Sequence, residues 1–250
     1  MLEDERLEKI LGMLKDHKIM TNAELCKKLF CSSSTLRRDL IKLENNGLVK
    51  RSHGYVRNML PNNIEFSFNS REHEKALEKE YIASLAYNLI LENQSLFLDS
   101  SSTVNKLCNM LKNRQLVVVT NGIKNISILN QFKSIDLFVI GGSVKVNSLA
   151  TVGAIGANFL DSFHADVAFI SCFGLGMSGL FEVDTNQAII KKKMMENSKK
   201  VVVLCDDSKF DLQPFYKSAT YDQIDLLITN KQPKAEFLEM LSSFGCECIW

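Results

Sequence analysis

No apolar run in this 250-residue chain approaches the roughly 20 residues a helix needs to cross a bilayer. The opening stretch, MLEDERLEKI, has no apolar core of the kind a secretory signal carries. These two absences predict a cytoplasmic protein with no membrane partner. Net charge is also nearly absent, at +1, so no overall field points to nucleic acid or lipid. There is no C-x-x-C pair. The seven cysteines (Cys26, Cys31, Cys108, Cys172, Cys205, Cys246 and Cys248) are odd in number, and several stand in apolar runs. That pattern predicts reduced thiols rather than a disulfide framework. Cys246 and Cys248 would share one strand face, but the four histidines (His17, His53, His73 and His164) are scattered. No metal site and no cofactor is expected.

The charge that is present is unevenly distributed. Residues 1–57 hold 12 Lys+Arg against 8 Asp+Glu, whereas the remainder holds 18 against 21. A basic head on a mildly acidic body predicts that the head meets phosphate.

Within the head, Leu7, Ile10, Leu11 and Leu14 follow the helical period and predict a first helix ending near His17. Thr21-Asn22-Ala23-Glu24 is a capping box and opens a short second helix that buries Leu25 and Leu29. Ser32 or Ser33 can cap a third helix within SSSTLRRDLIKLENNGLVKR, with Leu36, Leu40 and Leu43 as its apolar stripe and Asn46-Gly47 as its stop. An exposed helical arginine usually pairs with an acid three or four residues away. Arg37 and Arg38 have no acid at those positions. GLVKRSHGYVR then alternates and turns at Gly54, as a two-stranded hairpin does.

Helix, helix, tight turn, helix and hairpin is the order of a winged helix-turn-helix, whose third helix enters the DNA major groove. The candidate DNA contacts are Ser32, Ser33, Ser34, Thr35, Arg37 and Arg38 on that helix, with Lys50, Arg51, His53 and Arg57 on the wing. Arginine offers bidentate contacts to guanine or phosphate, and hydroxyls bind phosphate. The segment SSSTLRRDLIKLENNGLVKRSHG resembles the signature of the DeoR-type (deoxyribose-operon repressor) bacterial regulators. Ser32, Thr35, Arg37, Arg38, Asp39, Leu40, Gly47, Leu48, Arg51, His53 and Gly54 match its pattern, and Tyr55 stands where a second glycine is usual.

Beyond the head, NMLPNNIEFSFN, with Pro61, reads as a linker over residues 58–69. A long helix is expected from Ser70 to Glu92. Seven short apolar runs follow, alternating with helical segments: SLFLD, QLVVVT, IDLFVI, DVAFIS, KVVVLC, IDLLIT and CECIW. This predicts a parallel sheet covered by helices, so the whole chain is α/β with a winged helix-turn-helix in front.

In such sheets ligands bind beyond the carboxyl ends of the strands. The residues there are Asp99-Ser100-Ser101-Ser102-Thr103, Thr120-Asn121-Gly122, Gly141-Gly142-Ser143, Phe173-Gly174-Leu175-Gly176 and Asp206-Asp207-Ser208-Lys209. Small, hydroxylated and glycine residues at five strand ends predict a site for a phosphorylated ligand. The same stations resemble the family's C-terminal sensor domain, which is similar in fold to ribose-5-phosphate isomerase. Asp99, Ser102, Thr103, Thr120, Asn121, Gly141, Gly142, Lys145, Lys191, Lys192, Asp206, Ser208 and Lys209 stand at its pattern positions. Ser101 replaces a glycine of the phosphate loop, and Gln187 replaces a commonly acidic residue.

The rival reading is catalysis. Aldose–ketose isomerisation needs a carboxylate to move a proton between adjacent carbons. The isomerases resembled here carry an acidic cluster after the strand equivalent to DVAFIS, where this chain has Ser171-Cys172-Phe173-Gly174-Leu175-Gly176. The expected function is therefore binding rather than turnover, with no catalytic residue. The chain is expected to be a regulator, a repressor foremost, of sugar or polyol metabolism genes. Its partners would be double-stranded operator DNA and a phosphorylated sugar or polyol effector. An activator, or a regulator answering to an unphosphorylated ligand, stays open. The resemblance implies a homo-oligomer, dimer or tetramer. The domain plan is 1–57 for DNA, 58–69 as linker and 70–250 as sensor.

Overall fold

The computed structural model describes residues 3–59 and 65–250. Pro61 and most of the asparagine run expected to form the linker lie outside the described residues. The chain divides into two compact units, Met1–Ser70 and Arg71–Trp250.

In the first unit, α1 (Glu3–Asp16), α2 (Asn22–Leu29) and α3 (Ser33–Asn45) enclose Ile10, Leu14, Leu25, Leu29, Leu36, Leu40 and Leu43. The capping box forms as expected: the Thr21 side chain accepts the Glu24 N–H, and the Glu24 carboxylate accepts the Thr21 N–H at 2.8 Å. The hairpin consists of β2 (Val49–Ser52) and β3 (Tyr55–Asn58), turning at Gly54 with φ +84°. One strand was not expected. Ile19–Thr21, too short for any periodicity, is β1 and pairs antiparallel with β3, giving the order β1-β3-β2.

The long helix expected from Ser70 to Glu92 is instead two helices, α4 (Phe68–His73) and α5 (Ala76–Tyr87). Lys75 between them is left-handed, with φ +54°. The carbonyls that this break releases find a donor. Buried Lys79 directs its Nζ at Glu74 O, 2.7 Å away, and at Arg71 O. A helical pattern in sequence cannot reveal a break whose carbonyls are satisfied by a side chain one turn on.

The seven apolar runs all become strands of one parallel sheet: β4 (Ser95–Leu98), β5 (Leu116–Thr120), β6 (Ile135–Val139), β9 (Ala165–Ile170), β12 (Ser198–Leu204), β14 (Leu226–Ile228) and β15 (Glu247–Ile249). Between them the chain forms a hairpin, β7 (Ser143–Lys145) with β8 (Ala150–Val152). It also forms a small antiparallel sheet of β10 (Gly174–Gly176), β11 (Gly179–Glu182) and β13 (Tyr216–Ala219). Helices α6 (Ser102–Cys108) and α7 (Ile123–Leu129) join α5 on one face of the parallel sheet. Helices α8 (Ala154–Leu160), α9 (Thr185–Glu196) and α10 (Ala235–Ser243) cover the other. Alternation along β4 serves both layers: Leu96 and Leu98 enter the first, Phe97 the second.

The strand order, β15-β14-β12-β9-β4-β5-β6, has one reversal. From β4 the chain steps outward through β5 and β6, then returns to the other side of β4 and proceeds through β9, β12, β14 and β15. The switch point lies between β4 and β9, and a crevice outside their carboxyl ends is where such sheets hold ligands.

Candidate functional site

On the head, Ser32 is the cap of α3: its Oγ accepts the Thr35 N–H at 3.2 Å and lies 2.9 Å from the Ser34 and Thr35 hydroxyls. Ser33, Ser34, Arg37 and Arg38 are exposed, and among the described residues neither arginine is in an ion pair. Asp39, beside them in sequence, is buried. It takes a two-pronged bond from Arg6 of α1, 2.5 Å from Nε and 2.9 Å from Nη2. The acid in the R-R-D-L run therefore fastens α1 to α3 and leaves the two arginines pointing outward.

The wing is divided in the same way. Lys50, His53 and Arg57 are exposed, and Lys50 and Arg57 line a groove with Ile19, Ser52 and Tyr55. Arg51 is not available in that sense. Its Nε lies 2.6 Å from Glu44 Oε2 and its backbone N–H donates to Glu44 Oε1, fixing the wing to the end of α3.

In the body, the five strand-end stations converge. At the switch point Asp99 is fully buried and its oxygens accept the N–H groups of Ser101 and Ser171, each at 2.9 Å, tying the end of β4 to the end of β9. Ser100, Ser101, Ser102 and Thr103 are buried, and Ser101 caps α6 by accepting the Val104 N–H. Thr120 donates to Leu98 O at 2.6 Å. Gly122 must be glycine, because a Cβ there would stand 2.7 Å from Asn125 Nδ2 and 3.0 Å from Ser100 Cα. Asn121 donates to Thr151 O, and Thr151 donates to Ile140 O, which links the second station to the Gly141-Gly142 turn. Gly142 needs its φ of +137°, and a Cβ would meet Val152 O at 2.4 Å. Gly174 lets the chain at Leu212 approach; a Cβ would lie 2.3 Å from its carbonyl oxygen.

The lysines differ from one another. Lys145 is 2.7 Å from Asp184 Oδ2. Lys191 is buried: its Nζ donates to Ser171 O at 2.8 Å, lies 2.5 Å from Glu182 Oε1 and 3.4 Å from Asp99 Oδ2. Burial alone would lower its proton affinity, but the Glu182 and Asp99 carboxylates outweigh that and hold it above the ordinary lysine range. Lys209 has no ion pair among the described residues, is half-buried, and stands 5.7 Å from the centre of the Phe173 ring. Asp206 is buried and accepts from the Ser208 N–H and hydroxyl. Burial works against its ionisation, yet Lys209 and the Ser208 bonds keep its carboxyl below the usual range.

Sequence reasoning missed three participants. Glu182 lies in the apolar strand GLFE, where an acid signals a buried partner, but its partner is nine residues away on α9. Asn105 and Asn125 form a buried amide pair at 2.9 Å, with Asn125 also donating to Asp99 O and Thr120 Oγ1. Within the five stations one side-chain atom is left over among the described residues. Asn121 Oδ1 is buried with no hydrogen-bond partner among the described residues, while its Nδ2 is committed to Thr151.

A cavity lined by Asp207 of the fifth station, Phe210, Lys231, Lys234 and Phe237 includes no residue of the other four stations. None of its lining residues belongs to β4 or β9, so the strand-end rim is the better candidate.

Models of two protein families match the chain. The DeoR-like helix-turn-helix domain covers residues 6–59 and the DeoR C terminal sensor domain covers residues 74–231. The chain belongs to the DeoR family of transcriptional regulators. It is thus a DNA-binding regulator rather than an enzyme, and its head meets DNA while its body senses a small molecule. It is 32% identical over 250 residues to the HTH-type transcriptional repressor GlcR of Bacillus subtilis, covering 100% of this chain and 96% of that relative. It is 31% identical over 209 residues to the L-fucose operon activator of Haemophilus influenzae, covering 83% and 84%. Ribose 5-phosphate isomerase A from Methanocaldococcus jannaschii superposes with a TM-score of 0.41 at 18% identity, over 54% of this chain and 55% of that one. No helix among the described residues is long and apolar enough to cross a membrane.

Proposed function

We propose that this DeoR-family regulator represses genes of sugar or polyol metabolism and is controlled by a phosphorylated sugar or polyol bound at the β4–β9 switch point. The observation that carries the reading is one strand-end rim where, among the described residues, a buried amide oxygen, Asn121 Oδ1, has no hydrogen-bond partner and a lysine, Lys209, has no ion pair. Buried hydroxyls of Ser100–Thr103 lie along the same rim. A sugar phosphate supplies hydroxyl donors for the amide and close to two negative charges for the lysine. Asp99, Thr120 and Lys191 support the rim from behind, and Gly141, Gly142, Lys145, Gly174 and Asp206 shape its edges. The name of the L-fucose operon activator supports sugar metabolism as the regulated process.

The same relative favours a second reading, in which the protein activates its genes. On the DNA side, one small head offers few contacts, so we propose a homo-oligomer that joins two heads on paired half-sites.

The test is a thermal-shift panel of sugar phosphates beside their parent sugars, followed by gel shifts on the chain's own upstream DNA. Stabilisation by a phosphorylated member and a change in operator affinity are expected. Stabilisation by parent sugars alone would remove the phosphate, and a ligand that strengthens operator binding at an induced gene would turn repressor into activator.

A further inference from the structure

The thiols of Cys172 and Cys205 are 3.2 Å apart, Sγ to Sγ, and both are buried. The sheet brings them together. Ile170 of β9 pairs with Val203 of β12 in parallel register, so two residues further along each chain Cys172 and Cys205 stand side by side. Adjacent strands lie about 4.8 Å apart, inside the roughly 4.4–6.8 Å that a disulfide spans between Cα atoms. An S–S bond of about 2.05 Å requires each sulfur to move only about 0.6 Å.

The surroundings suit a reactive pair. The Lys191 cation donates to the carbonyl of Ser171, the residue before Cys172, and the Ser171 hydroxyl lies 3.7 Å from Cys205 Sγ. Burial opposes a Cys205 thiolate, but hydrogen bonds from the Cys172 thiol, the Cys172 N–H and the Ser171 hydroxyl outweigh it and bring Cys205 below its ordinary value. Burial pushes Cys172 up, so the two sulfurs divide the roles of attacking thiolate and resolving thiol. With Cys172 5% exposed and Cys205 0%, the pair reacts with an oxidant as small as hydrogen peroxide that enters on local opening of the strand ends.

We propose that Cys172 and Cys205 form a redox-active dithiol, a modification site for hydroperoxides at the carboxyl ends of β9 and β12. The Cys205 thiolate attacks a peroxide oxygen; the O–O bond breaks, hydroxide leaves and takes a proton, and Cys205 becomes a sulfenic acid. The Cys172 sulfur then bonds to Cys205 sulfur, the S–O bond breaks, and the oxygen departs as water with the Cys172 proton. Two thiols and one hydrogen peroxide give one disulfide and two waters. The site stands beside Asp206 and Ser171, yet its chemistry does not depend on whether an effector binds there.

The full-length protein, reduced and then exposed to hydrogen peroxide, is alkylated under denaturing conditions and mapped by mass spectrometry. Free thiols are expected to fall from seven to five. A single linked peptide pair should contain Cys172 and Cys205, lighter by two hydrogens and restored by dithiothreitol. Cys172→Ser should leave no link at Cys205; the wild-type map decides the matter even if that variant fails to fold. Cys172 and Cys205 remaining reduced while other cysteines oxidise, or both ending as separate sulfinic acids, overturns the proposal.

Discussion

The ammonium of Lys191 lies 2.5 Å from Glu182 Oε1, with both side chains buried and an oxygen of the Asp99 carboxylate 3.4 Å away. One cation thus serves two acids and a backbone carbonyl at the switch point of the sheet. Removing one partner of a buried pair leaves an uncompensated charge and costs about 3–5 kcal/mol. Lys191→Met should lose stability in that range by chemical denaturation, because two buried carboxylates lose their counter-ion. Glu182→Gln should lose less, since Asp99 still balances the lysine. A Lys191→Met protein of wild-type stability that no longer binds sugar phosphates would instead make Lys191 an effector contact.

On DNA, the structure separates arginines that the sequence places together. Arg37→Ala is expected to weaken operator binding by about 1–3 kcal/mol if the side chain is bidentate to a base. Arg38→Ala should lower affinity across sequences and reduce the salt slope by about one if it holds phosphate. Arg51→Ala should act on the fold instead, by roughly 0–1 kcal/mol for a half-exposed pair with Glu44. Its salt slope should match the wild type. Gel shifts at several salt concentrations, with melting curves on the same samples, separate the three.

Much of this was legible because local signals agreed with the tertiary answer. The capping box at Thr21–Glu24, the leucine stripe of α3 and the turn at Gly54 are complete within a few residues. The seven apolar runs could be read because strands buried on both faces are continuous in sequence. What escaped depended on distant partners. Arg6 and Asp39 are 33 residues apart, Asn105 and Asn125 are 20 apart, and β1 exists only because β3 lies beside it. Strand order is also silent in sequence, so the five stations could be listed but not centred on β4 and β9.

Phe30 ends α2 in the left-handed conformation, φ 49° and ψ 44°, with its side chain 96% exposed. A non-glycine residue there carries about 1–2 kcal/mol of backbone cost and buries nothing in return. Glycine removes that cost but loses about 0.5–1 kcal/mol through the unfolded chain. Phe30→Gly should therefore raise stability, by up to roughly 1.5 kcal/mol. An unchanged or lowered melting temperature would mean that Phe30 makes contacts worth keeping.

Lys209 is the lysine of the strand-end rim with no ion pair among the described residues. Charge-assisted bonds to an anion contribute about 1.5–3 kcal/mol, so Lys209→Ala should weaken phosphosugar binding by roughly ten- to a hundredfold while leaving the fold intact. Thr103→Val should weaken it less, by one neutral hydrogen bond. Calorimetry on both variants checks this. Undiminished affinity in both means the anion sits elsewhere.

Lys79 offers a test that needs no ligand. Burial lowers its pKa to about 8, with nearby Asp206 opposing the shift and Lys209 adding to it. In the unfolded chain the same amine titrates near 10.5. Between those values the unfolded state binds more protons than the native state, so stability rises with pH. The contribution is complete above pH 10.5 and is lost as pH falls toward 8. Lys79→Met has no such proton to exchange, although it surrenders the bonds to Arg71 O and Glu74 O that close the break between α4 and α5. Urea midpoints at pH 8, 9 and 10 should therefore show the wild type gaining on the variant as pH increases. Other lysines, tyrosines and cysteines titrate in both proteins and cancel in the comparison. A difference that stays constant across the window would place the Lys79 pKa at its ordinary value and remove the buried amine from the pH dependence of the fold.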